Sequence, residues 1–179
     1  MSYPTYLVHF NPNHDPKTGR FTFSNKDTVK SRTDNYARVI NRLSDDEYRL
    51  FADGGQDRKA DIKWTKQFAK YQINHKDTAV FISKYGNVTL ASLDYHPVFG
   101  NQWHIGWATD PKYRGTGITQ KNIKEAVEFI RKFSDVPITA IIDPDNIPSR
   151  RTAEKAGFKE VGEVYNPNQN KTDIKYVYN

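Results

Sequence analysis

Between residues 103 and 142 the chain reads strand, glycine-bearing loop, helix, strand, and no other stretch restricts the fold as strongly. WHIGWAT (103–109) alternates like a strand. DPKYRGTGITQKN (110–122) follows, with Gly115 and Gly117 two residues apart. Ile123, Ala126, Val127 and Ile130 then recur at helical spacing, which predicts an amphipathic helix ending near residue 133. VPITAII (136–142) is the next strand. A strand that runs through a glycine loop into a helix N-terminus is a ready anion site. The first-turn N–H groups lack carbonyl partners, and the helix dipole favours negative charge there. Gly115 and Gly117 allow the backbone a close approach to a phosphate, and Lys112 and Arg114 add positive charge at the entrance. Taken alone, the two glycines also fit an ordinary strand-to-helix turn with basic residues on its surface. No Gly-Lys-Ser/Thr follows, so the loop is not a Walker loop, and it is not a full dinucleotide fingerprint.

The flanking sequence supplies more elements of both kinds. Residues 25–53 carry a helical pattern, with Tyr36, Val39, Ile40 and Leu43 on one face. Ser44 followed by Glu47 reads as a capping box opening a second short helix, ended by Gly54-Gly55. A third helix is expected over 61–71. TAVFISK (78–84) and VTLASLDY (88–95) are strands joined by a Gly86-Asn87 turn. After residue 142, DPDNIPS places Pro148 early in a helix that runs to Ala156, with Gly157 at the left-handed closing position. Residues 158–165 and 173–178 are two closing strands. The expected fold class is α/β (α+β): a mixed sheet of about six to seven strands flanked by helices. Residues 1–25 form an N-terminal extension, a hairpin or arm, and 26–179 form one domain.

Composition narrows the chemistry. The chain has 179 residues, 36% hydrophobic and 13% aromatic, enough for a real core. It has no cysteine, which excludes disulfides and thiolate metal sites and permits a cytoplasmic location. No apolar run is long enough to span a membrane, and the N-terminus lacks the basic and apolar regions of a signal peptide. The net charge of +6 suits a nucleic acid or other polyanion, and equally an anionic cofactor.

Two motifs carry a resemblance. Arg114-Gly115-Thr116-Gly117-Ile118-Thr119 resembles the Q/R-x-x-G-x-G/A signature of the GNAT N-acetyltransferases. The run from Asn146 to Phe158 (NIPSRRTAEKAGF) is similar to the N-x-x-S-x-R-x-x-E-K-x-G-F run of the branch that modifies ribosomal-protein N-termini and some aminoglycosides. The motifs stand in that family's order and spacing, and the resemblance covers about residues 78–165. It implies the GNAT fold, acetyl-CoA (coenzyme A) as cosubstrate, and direct attack of an amine, on a protein or small molecule, on the thioester. It implies that Arg114, Gly115, Thr116, Gly117, Ile118 and Thr119 hold the pyrophosphate. Backbone groups of Trp107, Ala108 and Thr109 would pair with the pantetheine arm and carbonyl, and Asn146 and Ser149 would meet the arm from the other side. Two positions depart from the pattern. Thr119 replaces the last small residue; it still offers its N–H and adds a hydroxyl that could touch phosphate. Ala153 stands where many relatives have a tyrosine that protonates the thiolate, which makes Ser149 the substitute candidate and Tyr165 a second.

The base is sought on the strand before the loop. His104 lies where relatives often carry a glutamate, and an imidazole titrates near neutral pH; the alternative is a strand histidine with a satisfied ring. Asp143 and Asp145 could relay a proton through water, or simply cap and solvate a loop. Ser149 could equally be a first-turn cap. Trp103, Trp107, Tyr95 and Phe99 are expected around the acceptor cleft, or else in core and rim.

HFNPNHDPKTGRF (9–21) holds His9, His14 and Asp15, which could suggest a metal but fit better a turn braced by Asn and Asp side chains, so no metal is expected. The segment also resembles short leaders of tailed-phage proteins, which would place the chain in a host cytoplasm or a virion, with a phage structural protein as partner. A second reading of the whole is therefore a weakened, non-enzymatic module of the same fold that binds a partner. A third is modification of a nucleic acid or of a protein bound to one.

Overall fold

A computed structural model describes residues 13–14, 21–22, 29–52, 57–71, 79–96, 100–167 and 169–179. Two short strands, β1 (Asn13–His14) and β2 (Phe21–Thr22), pair antiparallel. β1 thus falls in the stretch read as a turn, and residues 6–10 and 15–20 lie outside the described residues. Helices α1 (Val29–Arg42), α2 (Asp45–Phe51) and α3 (Arg58–Tyr71) follow. Then come β3 (Ala79–Lys84), β4 (Asn87–His96) and β5 (Gly100–Thr109). A 3₁₀ turn (Pro111–Tyr113) leads to α4 (Ile118–Ile130), β6 (Ile138–Ile142), α5 (Ile147–Ala156), β7 (Lys159–Asn166) and β8 (Lys171–Tyr178).

The main sheet has six strands in the order β3-β4-β5-β6-β8-β7. Among the described residues only β5 and β6, the strands on either side of the loop and α4, run parallel. That arrangement follows from the sequence, because a helix between two strands is long enough to return the chain for a parallel pairing.

Alternation along each strand gives the sheet two covered faces. On one, Val80, Ile82, Ala91, Trp103, Ile105, Ile138, Ala140 and Tyr176 pack under the apolar stripes of α4 and α5. On the other, Phe81, Val88, Leu90 and Ala108 pack under Tyr36, Val39, Ile40 and Leu43 of the α1 region and Tyr48 of α2. Each fully buried aliphatic side chain contributes about 1.5–3 kcal/mol before entropy costs. The expected capping box is present: Glu47 N–H donates to Ser44 Oγ (3.2 Å), and Ser44 N–H donates to Glu47 Oε2 (2.9 Å). Gly157 closes α5 at φ 104°, as the sequence suggests.

One turn differs from expectation. The β3–β4 turn is Tyr85-Gly86, with φ of 52° and 73°, and Asn87 is already a strand residue paired with Lys84. Gly86 is required for a second reason: a Cβ there would lie 2.2 Å from the Tyr113 ring. Among the described residues no helix is long and apolar enough to cross a membrane.

Candidate active site

The parallel seam is short. β5 and β6 are in register only at Trp103–Ile138 and His104–Thr139. Trp103 N–H donates to the Pro137 carbonyl (2.8 Å), and the Thr139 hydroxyl donates to the Trp103 carbonyl (2.9 Å), which fastens the base of a fork. Beyond it, residues 105–109 and 140–142 have no partner in each other. The fork opens at the C-terminal ends of two parallel strands, the place where open α/β sheets bind ligands. α4 begins at the end of one strand and α5 at the end of the other.

The start of α4 is left open. Gly115 and Gly117 have φ of 77° and 79°, and nothing lies within 4 Å of a Cβ built on either. Gly117 is the N-cap residue, adopts a left-handed conformation that disfavours side chains, and provides no side-chain cap. The first turn holds no acidic residue. Lys121 N–H takes the Gly117 carbonyl (3.1 Å) as the helix starts, so the N–H groups just before it point out of the turn. A cavity of about 300 Å³, lined by Tyr85, Tyr113, Thr116, Gly117, Ile118 and Lys121, adjoins the loop.

A buried polar network holds this loop from behind, and its centre is Asn87. Asn87 Nδ2 donates to the Ala108 carbonyl (3.0 Å) and to Thr109 Oγ1 (2.9 Å), with Thr119 Oγ1 at 3.3 Å. Its Oδ1 accepts from Asn122 Nδ2 (2.8 Å) and from the Thr89 hydroxyl (2.9 Å). The Thr109 and Thr119 hydroxyls lie 2.6 Å apart. Thr119 therefore does not turn its hydroxyl to a phosphate, as expected from sequence. It joins the start of α4 to the end of β5, and only its backbone N–H remains for a ligand. Asn35 of α1 extends the network, donating to Ser83 Oγ (3.0 Å) and the Asn87 carbonyl (3.1 Å) and accepting from Gly86 N–H (3.2 Å).

One of the two entrance charges is engaged. Arg114 pairs with Glu47 (2.6 Å) at the start of α2. Asp110, 1% exposed, pairs with Arg42 (2.5 Å) and accepts Lys112 N–H (3.0 Å). Burial alone would raise the Asp110 carboxyl; the Lys112 N–H and the Arg42 guanidinium outweigh it and hold it below the ordinary value.

On the β6 side, Asn146 is the N-cap of α5, and its Oδ1 accepts Ser149 N–H (3.3 Å). Asn146, not Ser149, is therefore the cap, and among the described residues the Ser149 hydroxyl makes no hydrogen bond. Asp143 accepts Asp145 N–H (2.7 Å) and is ion-paired with Lys171. Burial pushes its carboxyl up, but Lys171 and that N–H bring it below the ordinary value, which suits a structural ion pair better than a proton relay.

His104 is half-buried on the α1-side face of β5, beside the fork base. Several other candidates fall elsewhere. Trp103 is fully buried on the opposite face, where its Nε1 donates to Ser134 Oγ (3.0 Å), and Trp107 packs against that same core. Neither lines an acceptor cleft on the His104 face. The side chains of Tyr95 and Phe99 lie outside the described residues. Tyr165 is 60% exposed on the outermost strand, bonded to Asn170 (2.7 Å), with β8 between it and β6. It is not brought to the fork. His9 and Asp15 lie outside the described residues, among which no cluster of metal ligands occurs.

Known proteins share this fold. The model of the acetyltransferase (GNAT) domain matches residues 10–159, beginning inside the stretch assigned to an extension. No curated protein matches the sequence. Among solved structures, RimJ of Mycobacterium smegmatis in complex with CoA-disulfide is similar over 85% of this chain and 78% of its own, at 14% identity and TM-score 0.62. The microcin C7 self-immunity acetyltransferase MccE, in complex with acetyl-CoA and AMP, is similar over 84% and 88%, at 14% identity and TM-score 0.61. The ribosomal-protein-S5-alanine acetyltransferase of Vibrio fischeri is similar over 82% and 88%, at 17% identity and TM-score 0.56. With a family model covering most of its length and a six-stranded sheet forked beside an uncapped helix, the chain belongs to the GNAT acetyltransferase family.

Proposed function

We propose that the protein moves an acetyl group from acetyl-CoA to an amine by direct attack. The observation that carries this reading is the uncapped start of α4 at the mouth of the β5/β6 fork. An anion at that helix end meets outward N–H groups and the positive end of the dipole, with open space above both glycines. Acetyl-CoA supplies an activated acetyl thioester when bound. The N–H groups of Gly117, Ile118 and Thr119 hold its pyrophosphate. The unpaired edge of residues 107–109 aligns the pantetheine arm and polarises the thioester carbonyl. Asn146, whose side chain caps α5, borders the arm from the β6 side. His104 takes the proton that the acceptor ammonium must lose before its nitrogen can attack. The C–N bond would form as the C–S bond breaks, and the second proton of the attacking nitrogen would pass to the departing thiolate through the Ser149 hydroxyl or water. A chain without cysteine has no thiol to form an acetyl-enzyme, in keeping with direct transfer.

Thermal unfolding with and without acetyl-CoA tests the reading. A ligand bound only by the native state stabilises it by about 2.7 kcal/mol at a hundredfold excess over Kd. A clear rise in the midpoint is expected. No rise at millimolar acetyl-CoA overturns the assignment of the loop.

A further inference from the structure

Next to the fork lies a block of polar side chains that the mechanism above uses only in part. Leu93 packs with the α4-side core, so its neighbours Ser92 and Asp94 face the α1 side. Trp103 and Ile105 likewise leave Gln102 and His104 on that side. The register sets Ser92 opposite His104 and Asp94 opposite Gln102. Asp94 and His104 are thus diagonal neighbours on adjacent strands, about 7–8 Å apart at the backbone, a spacing that two side chains can bridge. At the other end of this face, Val88, Leu90 and Ala108 are covered by helices.

Among the described residues, Asp94 lacks the cationic partner that a half-buried carboxylate normally has. The Ser92 hydroxyl reaches its two oxygens at 3.3 Å each, and among the described residues no lysine or arginine pairs with it. Charged groups of β8, α1 and α3 are engaged elsewhere. Lys175 reaches Gln102 Oε1 (3.4 Å), Arg38 bonds Asn35 (2.5 Å), Arg58 bonds the Ile40 and Leu43 carbonyls, and Asp61 accepts the Tyr36 hydroxyl (2.6 Å). An uncompensated carboxylate on a sheet face is costly unless something cationic arrives.

We infer that Asp94 is the counter-ion of the acceptor: it receives a cationic amine as its ammonium and sets that nitrogen between itself and His104. This rests on the acetyltransferase reading and names the acceptor class, an amine protonated at neutral pH. His104 takes one proton from the ammonium, the freed lone pair attacks the thioester carbon, and Asp94 remains ionised to face the imidazolium.

Burial pushes the Asp94 carboxyl up to about 6, with Ser92 pulling weakly the other way. The raised value fixes a sign. Asp94 contributes full stability only below its unfolded value and loses it as pH rises through about 6. Asp94→Asn is therefore expected to unfold at a higher temperature than the parent at pH 8 and at the same temperature at pH 4. Its midpoint rise with acetyl-CoA stays that of the parent. In NMR titrations of the acetyl-CoA-loaded protein, the His104 ring titrates at lower pH in Asp94→Asn by half a unit or more, and Asp94→Glu restores it. With alaninamide as acceptor, KM rises at least tenfold in Asp94→Asn while cofactor binding holds. An unchanged His104 titration, or an unchanged KM in Asp94→Asn, overturns the inference. Loss of the acetyl-CoA response in the parent overturns the function reading instead.

Discussion

Helices α4 and α5 both start where a strand of the fork ends, yet their first turns are finished in opposite ways. α5 satisfies itself: Asn146 accepts the Ser149 N–H, and Asp143 accepts the Asp145 N–H one turn earlier. α2 and α3 do the same, through Ser44 and through Asp57, which accepts Ala60 N–H (2.9 Å). α4 starts on a glycine with no cap and no acid. A helix end closed by its own side chains belongs to the scaffold. One left open, in a chain that caps the starts of α2, α3 and α5, fits the external anion proposed for it. The difference is maintained from behind, because the Asn87 network fixes α4 without using the N–H groups of its first turn.

Substitutions at these two helix starts can break or sharpen the contrast. The largest effect is expected from Gly117→Asp, which puts a carboxylate and a strained left-handed residue where the open turn stands. Acetyl-CoA affinity should fall at least a hundredfold, equivalent to about 2.7 kcal/mol, while circular dichroism still reports a folded protein. Retained affinity, measured by calorimetry, would mean that α4 is no more a ligand site than α5. Asn87→Ala comes next. It strips partners from the Ala108 carbonyl and from Thr89 and Asn122, and buried groups left unpaired cost about 1–3 kcal/mol each. A total loss of roughly 3 kcal/mol in denaturant unfolding is expected, with acetyl-CoA binding weakened because the start of α4 loses its anchor. A stability loss without any change in affinity would separate the network from the loop. The smallest effect is that of Asn146→Ala, a lost cap worth about 1 kcal/mol of stability. Its effect on acetyl-CoA affinity should stay well below that of Gly117→Asp, and a larger one would make α5 the principal binding end.

The same contrast explains what could be read from the sequence. Caps, glycine positions and apolar periodicity are local, so the capping box of α2, the Gly157 closure, the stripe of α4 and the strand–loop–helix–strand unit were all legible. Facts that depend on which element lies across the sheet were not. Asn87 looks like half of a Gly-Asn turn until Tyr85 and Gly86 both take positive φ and push it into β4. Trp103 and Trp107 read equally as cleft aromatics or as core and rim until the alternation of β5 is tied to the face under α4, which puts them with the core. Tyr165 is the second acid candidate by sequence, but the strand order inserts β8 between β7 and β6. Asp94 carried no signal at all. It is one polar residue in an alternating strand, and only its register opposite Gln102 places it diagonal to His104.

The fork has a consequence for how the molecule responds as a whole. β4 and β5 are in register over ten residue pairs, β6 and β8 over five, and β5 and β6 over two. The sheet is thus two separately zipped halves stitched at one point, with an unpaired strand edge in its middle rather than at its rim. Amides along residues 105–109 that face this gap should exchange with solvent faster than their neighbours in β4, although both strands lie at the centre of the protein. Any extended ligand that lies in the gap and takes up those amides acts as a missing strand, so its arrival would be felt as slowed exchange in both halves at once.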